Sequence, residues 1–311
     1  GPYSAYPRSR MHDLPYYCAV MAYIRPEEEL LALLGATVER VSVPLELLGL
    51  LLYEMAVHQK VLEKHEAVRR IHDSLKSSGH PLAWLPLTLT EPEKEISLRS
   101  FNRDGSGGYG TPFGPRRRSP KAERQAVKER SKQAAAASPP PYPSIETAEE
   151  RSELQAAVRN WCEQSNGRAE AGVFQLRPPN GPELQRVTSE QLLQLGLDCL
   201  QGASAEHLQL QPLSVRELFR YLFAAAANGG AYNDGRHNAY GRLDAWRSLR
   251  ALTGAPDTAG WSDVLQRAEQ CTCYYFEAPT PWFRQVAWDF GIVVLRPDGR
   301  TAAVLAATDT D

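Results

Sequence analysis

Three side chains in the C-terminal half of this chain are suited to proton transfer: His237, Asp234 and Glu277. Imidazole titrates near neutral pH, and a neighbouring carboxylate can orient it, so His237 with Asp234 or Glu277 is the first general-base candidate. Arg236, Tyr240 and Arg242 lie in the same stretch, "GGAYNDGRHNAYGRLDAWRSL" (Gly229–Leu249). Flexible backbone N–H groups, a helix N-terminus and nearby guanidinium groups are the parts of an anion or small-molecule site. The spacing is that of a single glycine-rich turn and matches neither a P-loop nor a dinucleotide fingerprint. Glycines just past one helix, an Asn-Asp-Gly turn, and Asn238 as cap of the next helix also explain the stretch by conformational demand alone. That structural explanation is preferred.

Asp289, Asp309 and Asp311, with Glu277, sit on or beside the expected last strands. Carboxylates converging at one end of a sheet suit magnesium or calcium, but a solvated C-terminus explains "TDTD" equally well, and no metal or cofactor is expected. His58, His65 and His72 are spaced seven apart. On one helix that is a stripe with steps of about 10.5 Å, too long for a shared ion, so it reads as a solvated polar face. Cys271 and Cys273 share one face of an expected strand and lack a C-x-x-C spacing, so they read as small buried hydrophobes. Arg116, Arg117 and Arg118 in "GPRRRSP" could meet phosphates with strong salt dependence. That segment lacks interleaved aromatics, which leaves a solvated linker as the preferred explanation and nucleic acid as a disfavoured partner.

The elements that must position these residues follow from local patterns. Residues 14–78 read as helical: "PEEELLALLGATVER" opens on Pro and three Glu, as a helix N-terminus should. The stretch from Val43 to Gly79 keeps a helical period as one helix or two. Prolines then interrupt "HPLAWLPLTL". Between 97 and 144 the chain is Gly-, Pro- and Arg-rich, with a short exposed helix expected at "KAERQAVKERSKQ" and a polyproline-like spacer at "SPPPYPS". Thr147 with Glu150, Thr188 with Gln191, and Ser214 with Glu217 are capping-box spacings. "AGVFQLR" and "CTCYYFEA" read as strands, and a helix is expected near Ser262–Gln270. Asp298-Gly299 joins two runs apolar on both faces, which predicts a hairpin at the centre of a covered sheet.

With 311 residues, 42% hydrophobic and 23% charged, the chain is long enough for two domains and has ordinary globular composition. The net charge of −2 gives no global attraction to nucleic acid or anionic membrane. The longest apolar run, "LLGLLLY", is far shorter than the roughly 20 residues of a membrane span. Five scattered cysteines and no signal peptide make a cytoplasmic location the simplest reading. Gly1-Pro2 resembles the scar of a cleaved tag. The expected organisation is α+β: a tail at 1–13, a helical N-terminal region at 14–96, an extended basic, Pro-rich arm at 97–144, and at 145–311 an antiparallel sheet covered by helices.

"HPLAWLPLTL", "GGAYNDGRHNAYGRLDAWRSLRALTG" and "VAWDFGIVVLRPDGRTAAVLAATDTD" together resemble a bacterial domain family of unknown function. Its members place a Gly-Ala-Tyr turn before an Ala-Tyr-Gly-Arg-Leu helix and end in a hairpin closing on Ala-Ala-Thr-Asp-Thr-Asp. The likeness covers mainly Ile145–Asp311. It implies that the turn is a family feature and Asp311 a natural C-terminus, and it brings no activity. The leading reading is a non-enzymatic interaction module acting through protein partners. The alternative is a small-molecule or nucleotide-binding enzyme with its site at Gly229–Leu249. If Tyr240, Arg242, His237 and Asp289 converged on one cleft, the enzyme would be favoured. Trp246, Tyr240 and Leu243 buried with the arginines splayed outward would favour the module.

Overall fold

The computed structural model describes residues 14–38, 43–60, 63–101, 107–108, 110, 112–113, 120–133, 141–284 and 288–310. Four helices come first: α1 (Leu14–Ile24), α2 (Glu27–Val38), α3 (Leu45–Val57) and α4 (Glu66–Ser77). α3 is buried without a break from Leu48 to Val57, whereas α4 buries one stripe, Ala67, Val68, Ile71 and Leu75. The break between α3 and α4 has a local cause. Gln59 takes a left-handed φ of 56°, and Lys60 aims its ammonium at the carbonyls of Ala22, Tyr23 and Arg25 at 2.8–3.1 Å, closing the C-terminus of α1. His58 therefore caps the end of α3 and His65 the start of α4, so the three histidines do not form one stripe. Nor does His72 lie on a solvated face: its Nδ1 is 3.0 Å from the Tyr53 hydroxyl.

Single-turn 3-10 helices follow at Pro81–Trp84 and Glu91–Glu93, then a pair of two-residue antiparallel strands, β1 (Ser100–Phe101) with β2 (Gly107–Gly108). The helix expected in the arm is α5 (Lys121–Gln133), and the protein's own surface holds it. Val127 is fully buried, Arg130 Nε donates to the Gly202 carbonyl at 3.0 Å, and a side chain at Gly202 would strike the α5 backbone. The polyproline-like spacer ends as an extended segment. Ser144 bridges Phe174 antiparallel, with Ile145 N–H donating to Val173 O and Gln175 N–H to Pro143 O.

The remainder comprises α6 (Ala148–Leu154), α7 (Arg159–Gln164), β3 (Arg168–Gln175), α8 (Ser189–Leu193), β4 (Gln211–Leu213), α9 (Val215–Asn228), α10 (His237–Thr253), α11 (Trp261–Glu269), β5 (Thr272–Phe276), β6 (Asp289–Leu295) and β7 (Thr301–Thr308). Thr188 and Ser214 form complete capping boxes, and Thr147 accepts from Glu150 N–H. The five strands make one antiparallel sheet in the order β3-β7-β6-β5-β4, with the predicted hairpin at its centre. Ile292, Val294, Ala303 and Leu305 face one apolar layer, and Val293, Leu295, Ala302 and Val304 face the other. The first layer is continuous from Cys18 in α1 through α3, α9 and α10 to the sheet. α10 lies within it: all its residues except Tyr240, Arg247 and Arg250 are buried. Polar residues on such a helix need partners, and those partners define the site.

Candidate functional site

α9 and α10 are joined by the Gly229–Arg236 turn, and four of its backbone N–H groups are matched by side chains of this chain. Asn233 Oδ1 accepts from Gly230 and Gly235 N–H at 3.3 and 2.9 Å, while Asn233 Nδ2 donates to Asn160 O at 2.9 Å. Tyr232 N–H donates to Ser165 Oγ. Ala231 N–H donates to Asp309 Oδ2 at 2.7 Å, and a Cβ at Gly230 would overlap that same oxygen. Asp309 is 1% exposed. The turn does bind a carboxylate, and the carboxylate is the protein's own. Asp234 pairs with Arg99 at 3.3 Å.

The N-terminus of α10 is treated in the same way. Glu54, wholly buried in α3, accepts from Ala239 N–H at 2.8 Å and from Asn238 Nδ2 at 2.9 Å. Asn238 is therefore not the helix cap; Arg236 occupies that position, and the buried glutamate satisfies the open helix end. His237 holds a φ of 56°, unusual for a residue with a Cβ, beside Glu54 and with its ring 5.9 Å from that of Tyr16. Burial pushes the Glu54 carboxyl above its ordinary range, against the pull of Ala239, His237 and Asn238. The protonated form is thus favoured on folding, so this contribution is complete below about pH 4 and is lost as pH rises through the raised pKa. Glu54→Gln, which cannot ionise, should gain on the wild type as pH rises from about 4 toward the raised pKa, by up to about 1.4 kcal/mol per pH unit. Urea midpoints between pH 4 and 8 would check this; a pH-independent difference would refute it.

Arg242 is fully buried. Its guanidinium forms a two-bond pair with the equally buried Glu93, and it donates to Pro86 O and Thr88 O, both at 2.9 Å. Glu93 also accepts from Trp246 Nε1 at 2.8 Å and from Thr90 N–H and Oγ at 2.6 Å. Burial disfavours the Glu93 charge, but Arg242, Thr90 and Trp246 outweigh it and hold the carboxyl below its ordinary value. Tyr240 donates to Glu46 at 2.8 Å, and His80 Nε2 lies 2.7 Å from the other Glu46 oxygen. His80 Nδ1 accepts from Leu82 N–H, so Nε2 carries the proton and neither ring nitrogen is available as a base. Arg236 stacks on the Tyr240 ring at 4.8 Å and pairs with Asp244 at 2.9 Å.

The terminal-strand candidates are also engaged. Tyr275 donates to Glu277 and to Asp289 O, and Thr308 Oγ donates to Asp289 Oδ1 at 2.5 Å. The structure therefore brings Asp309 to the turn and His237 to Glu54, while Arg242 faces the 86–93 segment and Asp289 the sheet end. This is neither the convergent cleft nor the outward splay expected from sequence. Among the described residues no three His, Cys, Asp or Glu side chains are grouped to hold a metal ion. Asp311 and Arg116–Arg118 lie outside the described residues.

A concave feature absent from sequence reasoning runs beside β3. Even-numbered residues of β3 bond to β7, because the odd-numbered Val173 and Gln175 bond outward to 143–145. The N–H and C=O groups of Ala169 and Ala171 must therefore also point outward. Val173 N–H is taken by Glu146 at 2.9 Å, and Ala169 N–H meets the Cys162 thiol. Ala171 N–H and C=O have no partner among the described residues. Two clefts flank this edge. One of about 300 Å³ lies between Glu146, Arg151 and Gln155 and the Leu195–Leu197 turn. The other, of about 570 Å³, is polar and lined by Arg168, Glu170, Asp198, Gln201, Thr280 and Trp282. A strand segment with few large side chains, "RAEAG", is the one signal in the sequence, and strand order decides whether it is an edge.

The fold is an α+β protein with a five-stranded antiparallel sheet covered on both faces and one sheet edge partly open. The chain belongs to DUF6183, a family of unknown function, whose model matches residues 3–311. No curated protein and no solved structure matches it. No helix among the described residues is long and apolar enough to cross a membrane.

Proposed function

We propose that this protein is an interaction module that receives an extended segment of a partner protein along the open edge of β3. The observation that carries this reading is the outward Ala171 N–H and C=O, in line with the edge that residues 143–145 already extend antiparallel. An added strand gains backbone hydrogen bonds from the edge and side-chain selectivity from the flanking clefts. The alternative, a small-molecule site at Gly229–Leu249, has less support, since Asp309 and Glu54 already occupy the backbone donors a ligand would use.

Ala171→Pro removes the outward N–H and leaves the β7 ladder intact, a substitution that edge strands tolerate. It should abolish capture of seven-residue extended peptides from a displayed library while leaving the circular dichroism spectrum unchanged. The wild-type Ala171 amide should exchange rapidly alone and become protected with a captured peptide. Capture that survives in Ala171→Pro would refute strand addition.

A further inference from the structure

The register of β3 also specifies the charge of the segment it receives. We propose that the partner segment is acidic at one defined position, placing an Asp or Glu side chain opposite Arg168. This rests on the strand-addition reading above. Ser144 sits opposite Phe174 and Glu146 therefore stands at Gly172, so a segment continuing in the same antiparallel sense would place alternate residues opposite Glu170 and Arg168, displacing the Cys162 thiol from Ala169 N–H. Those residues share one face of the sheet, and directly opposed side chains on that face have Cβ atoms about 5 Å apart.

Arg168 is prepared for such a neighbour. Its guanidinium stacks on Trp282 at 5.0 Å from the ring centre, and Nη2 is anchored by Pro281 O and Trp282 O at 3.3 and 2.7 Å. Nε and Nη1 have no partner among the described residues, which leaves two separate N–H donors of a held cation for a carboxylate in the polar cleft. The charges around it are Arg284, which reinforces the positive field, and Asp198 and Asp289, which oppose it. The opposing carboxylates are engaged: Asp198 accepts from Gln201 at 2.8 Å and Asp289 from Thr308 at 2.5 Å. Glu170 accepts the N–H groups of Asp198 and Cys199, both at 2.8 Å, so its charge is turned toward the backbone. A basic residue opposite Arg168 would meet a like charge, and an apolar one would strip water from the two free donors without replacing it.

The probe is a set of acetylated, C-terminally amidated seven-residue peptides of Val and Thr, with Glu, Gln or Lys scanned through each position, tested against the full chain. Glu at one position, and only one, should raise affinity about two- to fivefold over Gln, as expected for a single exposed charge pair. Arg168→Gln should erase that preference, and Arg284→Gln, a change at an exposed site, should reduce it with the fold unaltered. A preference for Lys, or a Glu preference untouched by both substitutions, would overturn the acidic register and leave strand addition standing. The same peptides are also tested with free C-terminal carboxyls, and Arg168-dependent binding confined to that second set would overturn the side-chain assignment. Failure of every peptide to bind, or binding unaffected by Ala171→Pro, would overturn strand addition itself.

Discussion

Arg242→Met should lower the unfolding free energy by about 3–5 kcal/mol, the cost of leaving a buried charge without its partner. Glu93 would keep its Thr90 and Trp246 donors but lose the cation that holds it ionised in the core. The Pro86 and Thr88 carbonyls would lose their donors as well. The double variant Arg242→Met with Glu93→Leu should recover a large part of the loss, since removing both charges abolishes the desolvation cost. Urea denaturation of both variants would measure it. A single variant within 1 kcal/mol of the wild type would mean that the pair contributes little and that the 86–93 segment is held by its apolar contacts. The double-mutant comparison separates pairing from the loss of side-chain volume.

Gly241→Ala should cost about 3 kcal/mol, at the upper end of overpacking effects. A Cβ at Gly241 would lie 2.5 Å from the Ala227 Cα and 2.6 Å from its Cβ, so the α9 backbone itself would have to retreat. Both helices are held on their other sides, α9 by Phe219 and Tyr221 in the core and α10 by the Arg242 pair, and neither can move freely. Gly35, in the middle of α2, provides the control: a Cβ there meets nothing within 4 Å. Gly35→Ala should be neutral or stabilising by up to about 1 kcal/mol, as helix propensity predicts. Equal effects at the two positions in thermal or urea unfolding would show that propensity, and not the close approach of α9 and α10, decides the outcome.

Much of the local structure was legible in the residues. The caps at Thr188 and Ser214, the Asp298-Gly299 hairpin and the doubly apolar terminal strands each act within a few positions, and each predicts its element from composition and spacing. The glycine-rich turn between two helices was legible at Gly229–Leu249 too, but not its cap: Asn238 was expected there, and Arg236 holds the position. What the joint closes on was not legible either. Arg242 meets Glu93 across 149 residues, Ala231 meets Asp309 across 78, and Ala239 meets Glu54 across 185. Nothing local distinguishes Glu54 from the other glutamates of the helical region. It becomes a helix cap because packing α3 against α10 removes water from both, and a buried helix end must then find an acceptor within the chain. Likewise, which face of α4 His72 occupies depended on where α3 stopped. Composition and spacing were enough for most of the helices and for the two apolar faces of the central hairpin, but not for the short strands β1, β2 and β4. That β3 is an edge with Ala171 turned outward follows from long-range packing, because strand order and hydrogen-bond parity depend on which strands pair across the sheet, and that pairing is not written in β3.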